Sequence, residues 1–275
     1  MDMWGDLKEG KRKVKFKMYF NNIHIIIYLI VGLIGCIVGQ VLGLINKRLE
    51  NHERILEKGS LKKFKKEFKA HYGLMTIMFI LYIVLLYVCK MDLELWYANI
   101  KNLSYFLLLP LLISAFVIDW RKQIIPNRLV LTIFEIGLLV TFFEGVSSPT
   151  GMSLALNRLE GMVVGAIIFG MITLLGGLIA GKEAMGMGDV KLMGALGLFF
   201  GMKNIIMISI LSFLIGAIAS IFLLVFKIKK TDEYIPFGPF IVISAIACIM
   251  LPEDVLFTSL WFVFSGEWFI KYIRK

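Results

Sequence analysis

The chain alternates long uncharged stretches with short clusters of charge. Uncharged stretches cover 23–45, 71–89, 102–118, 129–143 (interrupted by Glu135), 161–181, 204–226 and 235–252. A helix rises about 1.5 Å per residue, so roughly 17–25 apolar residues cross a hydrocarbon core of about 30 Å. Most of these stretches meet that length alone or with their flanks. Most also lack a polar face, which excludes a soluble fold with a buried core. A further stretch, 192–202, would be roughly 16 Å long as a helix and cannot cross unaided. It pairs with 204–226, the chain turning near Lys203. The pattern predicts an all-α, polytopic integral membrane bundle of eight or nine membrane segments.

The polar clusters set an orientation. The segment after the first apolar run holds nine cations: Lys47, Arg48, Arg54, Lys58, Lys62, Lys63, Lys65, Lys66 and Lys69. Positive loops stay on the cytoplasmic side. Alternation from there puts 90–101 outside, 119–128 inside, 144–160 outside and 182–191 inside. Lys227, Lys229, Lys230, Lys271, Arg274 and Lys275 also fall inside. The first run lacks a small-residue cleavage site and reads as a retained helix rather than a signal peptide. Alternation places the basic tail, Lys8 to Lys17, outside, against its charge; a start at Met18 would remove the conflict. The basic stretch Lys62 to Lys69 reads as a helix lying on anionic headgroups or as a solvated loop.

Composition changes this picture little. The chain is 59% hydrophobic and 18% charged, against about 25% charged in a soluble domain. Its net charge of +10 follows from the positive-inside bias, so no nucleic-acid partner is implied. Cys36, Cys89 and Cys248 lie in apolar runs with no CxxC, which argues against a metal site or redox pair and for packing. Gly35, Gly39 and Gly43 recur at a spacing that lets membrane helices pack closely.

Candidate chemistry lies in two aspartates at the edges of apolar runs. Asp119 ends the run 102–118 and is followed by Ile125-Pro126-Asn127. Pro126 lacks an N–H and disfavours helix at the residue before it, so the chain must turn there. Asp189 lies in Gly186-Met187-Gly188-Asp189-Val190-Lys191, at the start of the next helix. A helix N-cap would explain the aspartate. It would not explain Gly186 and Gly188, which permit close approach of another chain. Lys191 adds a nearby positive charge. Two carboxyls brought together share a proton, one activating water and the other polarising a scissile carbonyl. Glu135, about 10 Å into its helix, reads either as part of a polar substrate groove or as a polar helix contact.

These residues resemble the type IV prepilin peptidases, polytopic GxGD-type aspartic proteases of the bacterial membrane. The resemblance rests on Asp119 with Ile125-Pro126-Asn127, on Lys182-Glu183-Ala184-Met185 leading into the GxGD block, and on Ile235-Pro236-Phe237-Gly238-Pro239-Phe240. It implies a catalytic pair, Asp119 and Asp189, with Gly186, Gly188, Lys191, Pro126, Asn127, Glu183 and Glu135 binding substrate or supporting the pair. It implies an endopeptidase that removes the short basic leader of prepilins or pseudopilins. Cleavage would fall at the cytoplasmic face of the inner or cytoplasmic membrane, with the substrate's helix still in the bilayer. Proteolysis would need no cofactor; S-adenosylmethionine would serve if N-methylation of the new terminus is retained. Against the family, Gln40, Val41 and Gly43 stand where Ser, Phe and Asn are common, and the paired CxxC motif is missing.

The resulting organisation is a basic tail (1–22), a first membrane helix (23–45), a basic cytoplasmic loop (46–72) and a catalytic helical bundle (73–275). Two other readings compete. One is a preflagellin- or presenilin-like GxGD protease. The other is a proton-coupled transporter using Asp119, Asp189 and Glu135 as relays, against which stand the lack of an internal repeat and the position of both aspartates at run edges.

Overall fold

The computed structural model describes residues 19–20, 23–50, 70–89, 98–147, 149–180, 185–226, 235–252 and 254–258. Of the tail expected over 1–22 all but Tyr19 and Phe20, together with the basic stretch Lys62 to Lys69 and Glu183, lies outside the described residues. A two-residue hairpin, β1 (Tyr19–Phe20) with β2 (Ile23–His24), precedes the bundle. The bundle consists of α1 (Ile25–Glu50), α2 (Tyr72–Val88), α3 (Ala98–Lys122), α4 (Asn127–Ser147), α5 (Gly151–Ala180), α6 (Met187–Val225) and α7 (Gly238–Met250). Among the described residues, α1, α3, α4, α5 and α6 are long and apolar enough to cross a membrane, and α2 and α7 are shorter apolar helices. Large apolar side chains such as Ile37, Leu139, Phe142 and Leu174 cover the outside, as a lipid-facing surface requires. The chain is an all-α, polytopic membrane bundle.

The element that shapes the bundle is α6, which is not straight. Gly201 has φ 74° and ψ 176°, a left-handed conformation that glycine adopts without steric cost. A Cβ built on Gly165 of α5 would lie 2.7 Å from Met193 O and 3.1 Å from Ile205 Cγ1. In a straight helix those two residues would stand about 18 Å apart. The chain therefore doubles back at Gly201. A first arm, 187–200, runs into the bundle, and a second arm, 202–225, returns. The reversal falls two residues before Lys203, where the short apolar stretch had to turn. Counting the two arms separately, the bundle helices named above make eight helical segments among the described residues.

The reversal frees backbone groups that a continuous helix would pair. The Met202 N–H would bond Leu198 O; it donates instead to Asn157 Oδ1 at 3.2 Å. The Leu198 carbonyl accepts from Arg158 Nη1 at 2.9 Å and from Thr141 Oγ1 at 3.3 Å. The Arg158 charge is itself paired with Glu144, both side chains being buried. This corrects the sequence expectation of an outside loop over 144–160. Both flanks of that stretch are helical, and of its three charges Glu144 and Arg158 turn inward to serve the α6 reversal while Glu160 stays exposed.

Helix contacts elsewhere follow small residues and backbone accounting. Cβ atoms on Gly35 and Gly39 of α1 would meet Met78 O and Leu74 O of α2 at 2.6 Å, so the glycine stripe is a close helix contact. Pro110 stands inside α3 and cannot bond the Phe106 carbonyl; Tyr82 Oη of α2 donates to that oxygen at 3.0 Å. At its other end α1 runs to Glu50, past the expected boundary at 45. Asn46, Arg48 and Leu49 are buried there, and Ser114 Oγ of α3 donates to Asn46 Oδ1 at 2.7 Å. Cys36, Cys89 and Cys248 are free thiols, buried or half-buried in the packing.

The first arm of α6 meets α5 through glycines of unequal tolerance. A Cβ on Gly197 would overlap the Gly161 backbone, whereas one on Gly194 would meet Ala166 Cβ at an ordinary 3.4 Å. Gly197→Ala is expected to cost about 1–3 kcal/mol, the usual range for overpacking, and Gly194→Ala to be tolerated. Denaturant or thermal unfolding in detergent measures the contrast.

Candidate active site

Asp119 lies in the last turn of α3. Its carbonyl accepts the Gln123 N–H at 2.8 Å, and Gln123 at φ 56° ends the helix. The chain then passes through Ile125 and Pro126, both buried. The Pro126 carbonyl accepts the first amides of α4, from Leu129 and Val130. This is the structured break that the proline demands. The Asp119 side chain turns inward and is only 4% exposed. Its Oδ2 accepts the Gly238 N–H from the start of α7 at 3.0 Å.

The start of α7 is itself anchored. Pro239 occupies the first turn, where a missing N–H costs nothing. The Phe237 ring packs against Phe169, Phe213 and Phe240 at 5.0–6.0 Å between centroids. These contacts tie α7 to α5 and to the returning arm of α6, and they fix where the Gly238 amide points. A Cβ on Gly238 would lie 2.6 Å from Asp119 Oδ2 and 3.2 Å from Ile125 Cδ1, so no larger residue fits without moving the carboxyl.

Asp189 lies in the first turn of α6, as the motif predicts, but it is not the N-cap. Gly186 fills that position in an extended conformation without a side-chain cap, and its carbonyl accepts the Asp189 N–H at 3.0 Å. The Asp189 carboxyl is thereby left for other work. It is 4% exposed, and its Oδ1 is buried with no hydrogen-bond partner among the described residues. It interacts electrostatically with the Asp119 carboxyl. Gly188 shows why the motif needs glycine: a Cβ there would press on Ile125 Cβ at 3.1 Å. Ile125 thus packs against both Gly188, which precedes Asp189, and Gly238, whose amide Asp119 accepts. A buried, unpartnered carboxylate oxygen is rare in folded proteins and asks for a functional explanation.

The remaining candidates divide. Lys191 Nζ donates to Asn127 Oδ1 at 3.0 Å, joining the starts of α4 and α6. Glu135 is exposed on α4, on the side of that helix away from its buried residues Leu129, Ile133 and Val140. It does not join the aspartates. Sequence reasoning missed the parts played by Ile125 and Gly238. A glycine directly before a proline at a predicted helix start was the available signal for a backbone N–H turned toward a ligand or side chain.

The fold and this pair define a polytopic helical membrane protein with a two-carboxylate site. Residues 106–221 match the model of the Type IV leader peptidase family, a span that contains both aspartates. Over that span the chain is similar to type IV leader peptidases. Curated relatives agree. It is 31% identical over 151 residues to a "Prepilin leader peptidase/N-methyltransferase" of Pseudomonas putida, covering 54% of this chain and 50% of that protein. It is 30% identical over 154 residues to the protein of the same name from Aeromonas salmonicida (strain A449), covering 56% and 51%. A "Type 4 prepilin-like proteins leader peptide-processing enzyme" of Escherichia coli O78:H11 (strain H10407 / ETEC) is 30% identical over 140 residues, covering 51% and 48%. The chain spans about half the length of the curated relatives it matches. No solved structure matches.

Gly238→Ala tests the contact between α7 and Asp119. The added methyl displaces the Asp119 carboxyl, and displacements of about 1 Å at a catalytic group cost roughly a hundredfold in rate. A loss of that order in the peptidase activity proposed below is expected, at unchanged protein level in the membrane, measured on membranes carrying equal amounts of the protein.

Proposed function

We propose that the chain is a membrane aspartic endopeptidase that removes the short basic leader from prepilin-like precursors at the cytoplasmic face. The observation that carries this reading is the convergence of two buried aspartates, from α3 and α6, close enough to interact electrostatically. Asp119 has one oxygen held by a backbone amide; Asp189 has one buried oxygen without a partner among the described residues. A pair of interacting carboxyls holds a single proton most easily. The ionised member takes a proton from water as the water oxygen attacks the scissile carbonyl. The protonated member donates to that carbonyl oxygen. Collapse of the tetrahedral species then breaks the C–N bond, the leaving amine receiving a proton from the pair. The family match and the names of the curated relatives support prepilin-like substrates.

Methyl transfer is not part of this proposal. The two relatives from Pseudomonas putida and Aeromonas salmonicida carry "N-methyltransferase" in their names. S-adenosylmethionine brings a sulfonium, an amino acid moiety and a ribose, which call for several polar partners. The cleft between α4, α5 and α6 presents Asn127 and Lys191 among otherwise apolar residues and no carboxylate, so its residues do not fit that group.

Co-expression with a prepilin tests the proposal. Asp119→Asn and Asp189→Asn are each expected to abolish leader removal while the protein still accumulates in the membrane. Glu135→Gln, on the outward face of α4, is expected to cleave near the wild-type rate. Product mass reports the cleavage position. Cleavage by Asp189→Asn at the wild-type rate would overturn the assignment.

A further inference from the structure

The cleft between α4, α5 and α6 has a volume of about 550 Å³, and its walls include Val130, Leu131, Phe134, Ala166, Val190 and Gly194. Nothing in the two-aspartate chemistry uses it. Four α6 residues line it: Val190, Lys191, Gly194 and Ala195. At about 3.6 residues per turn, these put Asp189 roughly half a turn away, on the opposite flank of α6. The burial of Asp189 against the core side agrees. A peptide helix seated in the cleft would therefore be screened from the aspartates by α6 itself.

The two ends of the cleft differ in chemistry. Toward the middle of the bundle it is apolar, ending near Phe134 and Met162. At the aspartate edge it opens between the first turns of α4 and α6, where Asn127 and Lys191 line it. Lys191 is exposed; among the described residues it bonds Asn127 Oδ1 and forms no ion pair. Both helices begin here, so both present the positive ends of their dipoles to the same mouth. An ammonium and two helix N-termini at the interface, above an apolar slot opening to lipid, are complementary to an anionic headgroup carrying an acyl chain.

We propose that this cleft binds one anionic phospholipid of the leaflet at the aspartate edge, its phosphate on Lys191 and the α4 and α6 N-termini, and one acyl chain between Val130, Phe134, Ala166 and Gly194. The lipid bridges the starts of α4 and α6. The first of these follows directly on the Ile125-Pro126 turn and the second carries Asp189, so occupancy ties together the two segments that frame the site.

The test uses the full chain, purified in mild detergent with equal amounts of phosphatidylglycerol and phosphatidylcholine, and native mass spectrometry. Wild type is expected to retain one phosphatidylglycerol in preference to phosphatidylcholine. Lys191→Gln is expected to lower that retention about tenfold, the effect of losing one hydrogen bond to a charged group. Gly194→Leu, at a position with room for a side chain, is expected to fill the slot and abolish retention of both lipids. A photoreactive phenylalanine analogue replacing Leu131, with Lys191 and Gly194 intact, is expected to yield a phospholipid adduct in membranes. Equal retention of the two lipids by wild type, or undiminished retention by Lys191→Gln, would overturn the proposal. So would a Leu131 adduct only with a protein helix, which would make the cleft a docking site for a membrane segment.

Discussion

Inside a bilayer every backbone donor and acceptor must find a partner within the protein, at a cost of several kcal/mol for each that does not. The doubling back of α6 at Gly201 is where this constraint bites hardest. The turn breaks the bond between the Met202 amide and the Leu198 carbonyl, and three side chains from two other helices replace it: Asn157 on the amide, Arg158 and Thr141 on the carbonyl. Arg158 brings a charge that the interior tolerates because Glu144 neutralises it. The depth of the turn sets the length of the first arm, and that length puts Asp189 at the bundle edge rather than within it.

The same accounting recurs at smaller scale. Pro110 releases the Phe106 carbonyl in α3, and a tyrosine hydroxyl from α2 takes it. The Gly238 amide, at the uncapped start of α7, is spent on the Asp119 carboxylate. In each case a helix irregularity creates an unpaired group, and the partner chosen fastens two segments distant in sequence. Glycines complete the scheme by bringing backbones close enough for such partners to reach. Gly35 and Gly39 do so between α1 and α2, and Gly161 and Gly197 between α5 and α6.

Much of the architecture was legible in the sequence because it depends on local composition. Uncharged runs of helix length gave the segments, and a run too short to cross gave the reversal near Lys203. The proline after Asp119 gave the break before α4, and the glycines around Asp189 gave its place at a close-packed helix start. What escaped was set by partners far away in the chain. Glu144 and Arg158 look like loop charges until the Leu198 carbonyl explains them. Asn46 and Arg48 look like the start of a basic loop until α3 packs over them. Gly238 sat in a recognisable block, yet its task depends on a side chain 119 positions earlier. Glu135 could be placed at a depth but not on a face, since a helix with apolar residues on every side gives no sign of which side the bundle covers.

That long reach from Asp119 to Gly238 imposes an order on assembly. A nascent chain inserts from its amino end, so α3 is in the bilayer well before α7 leaves the ribosome. Until residue 238 arrives, the first carboxyl has no amide to orient it. The Asp119 carboxyl can take its final arrangement only once the start of the seventh helix has been made.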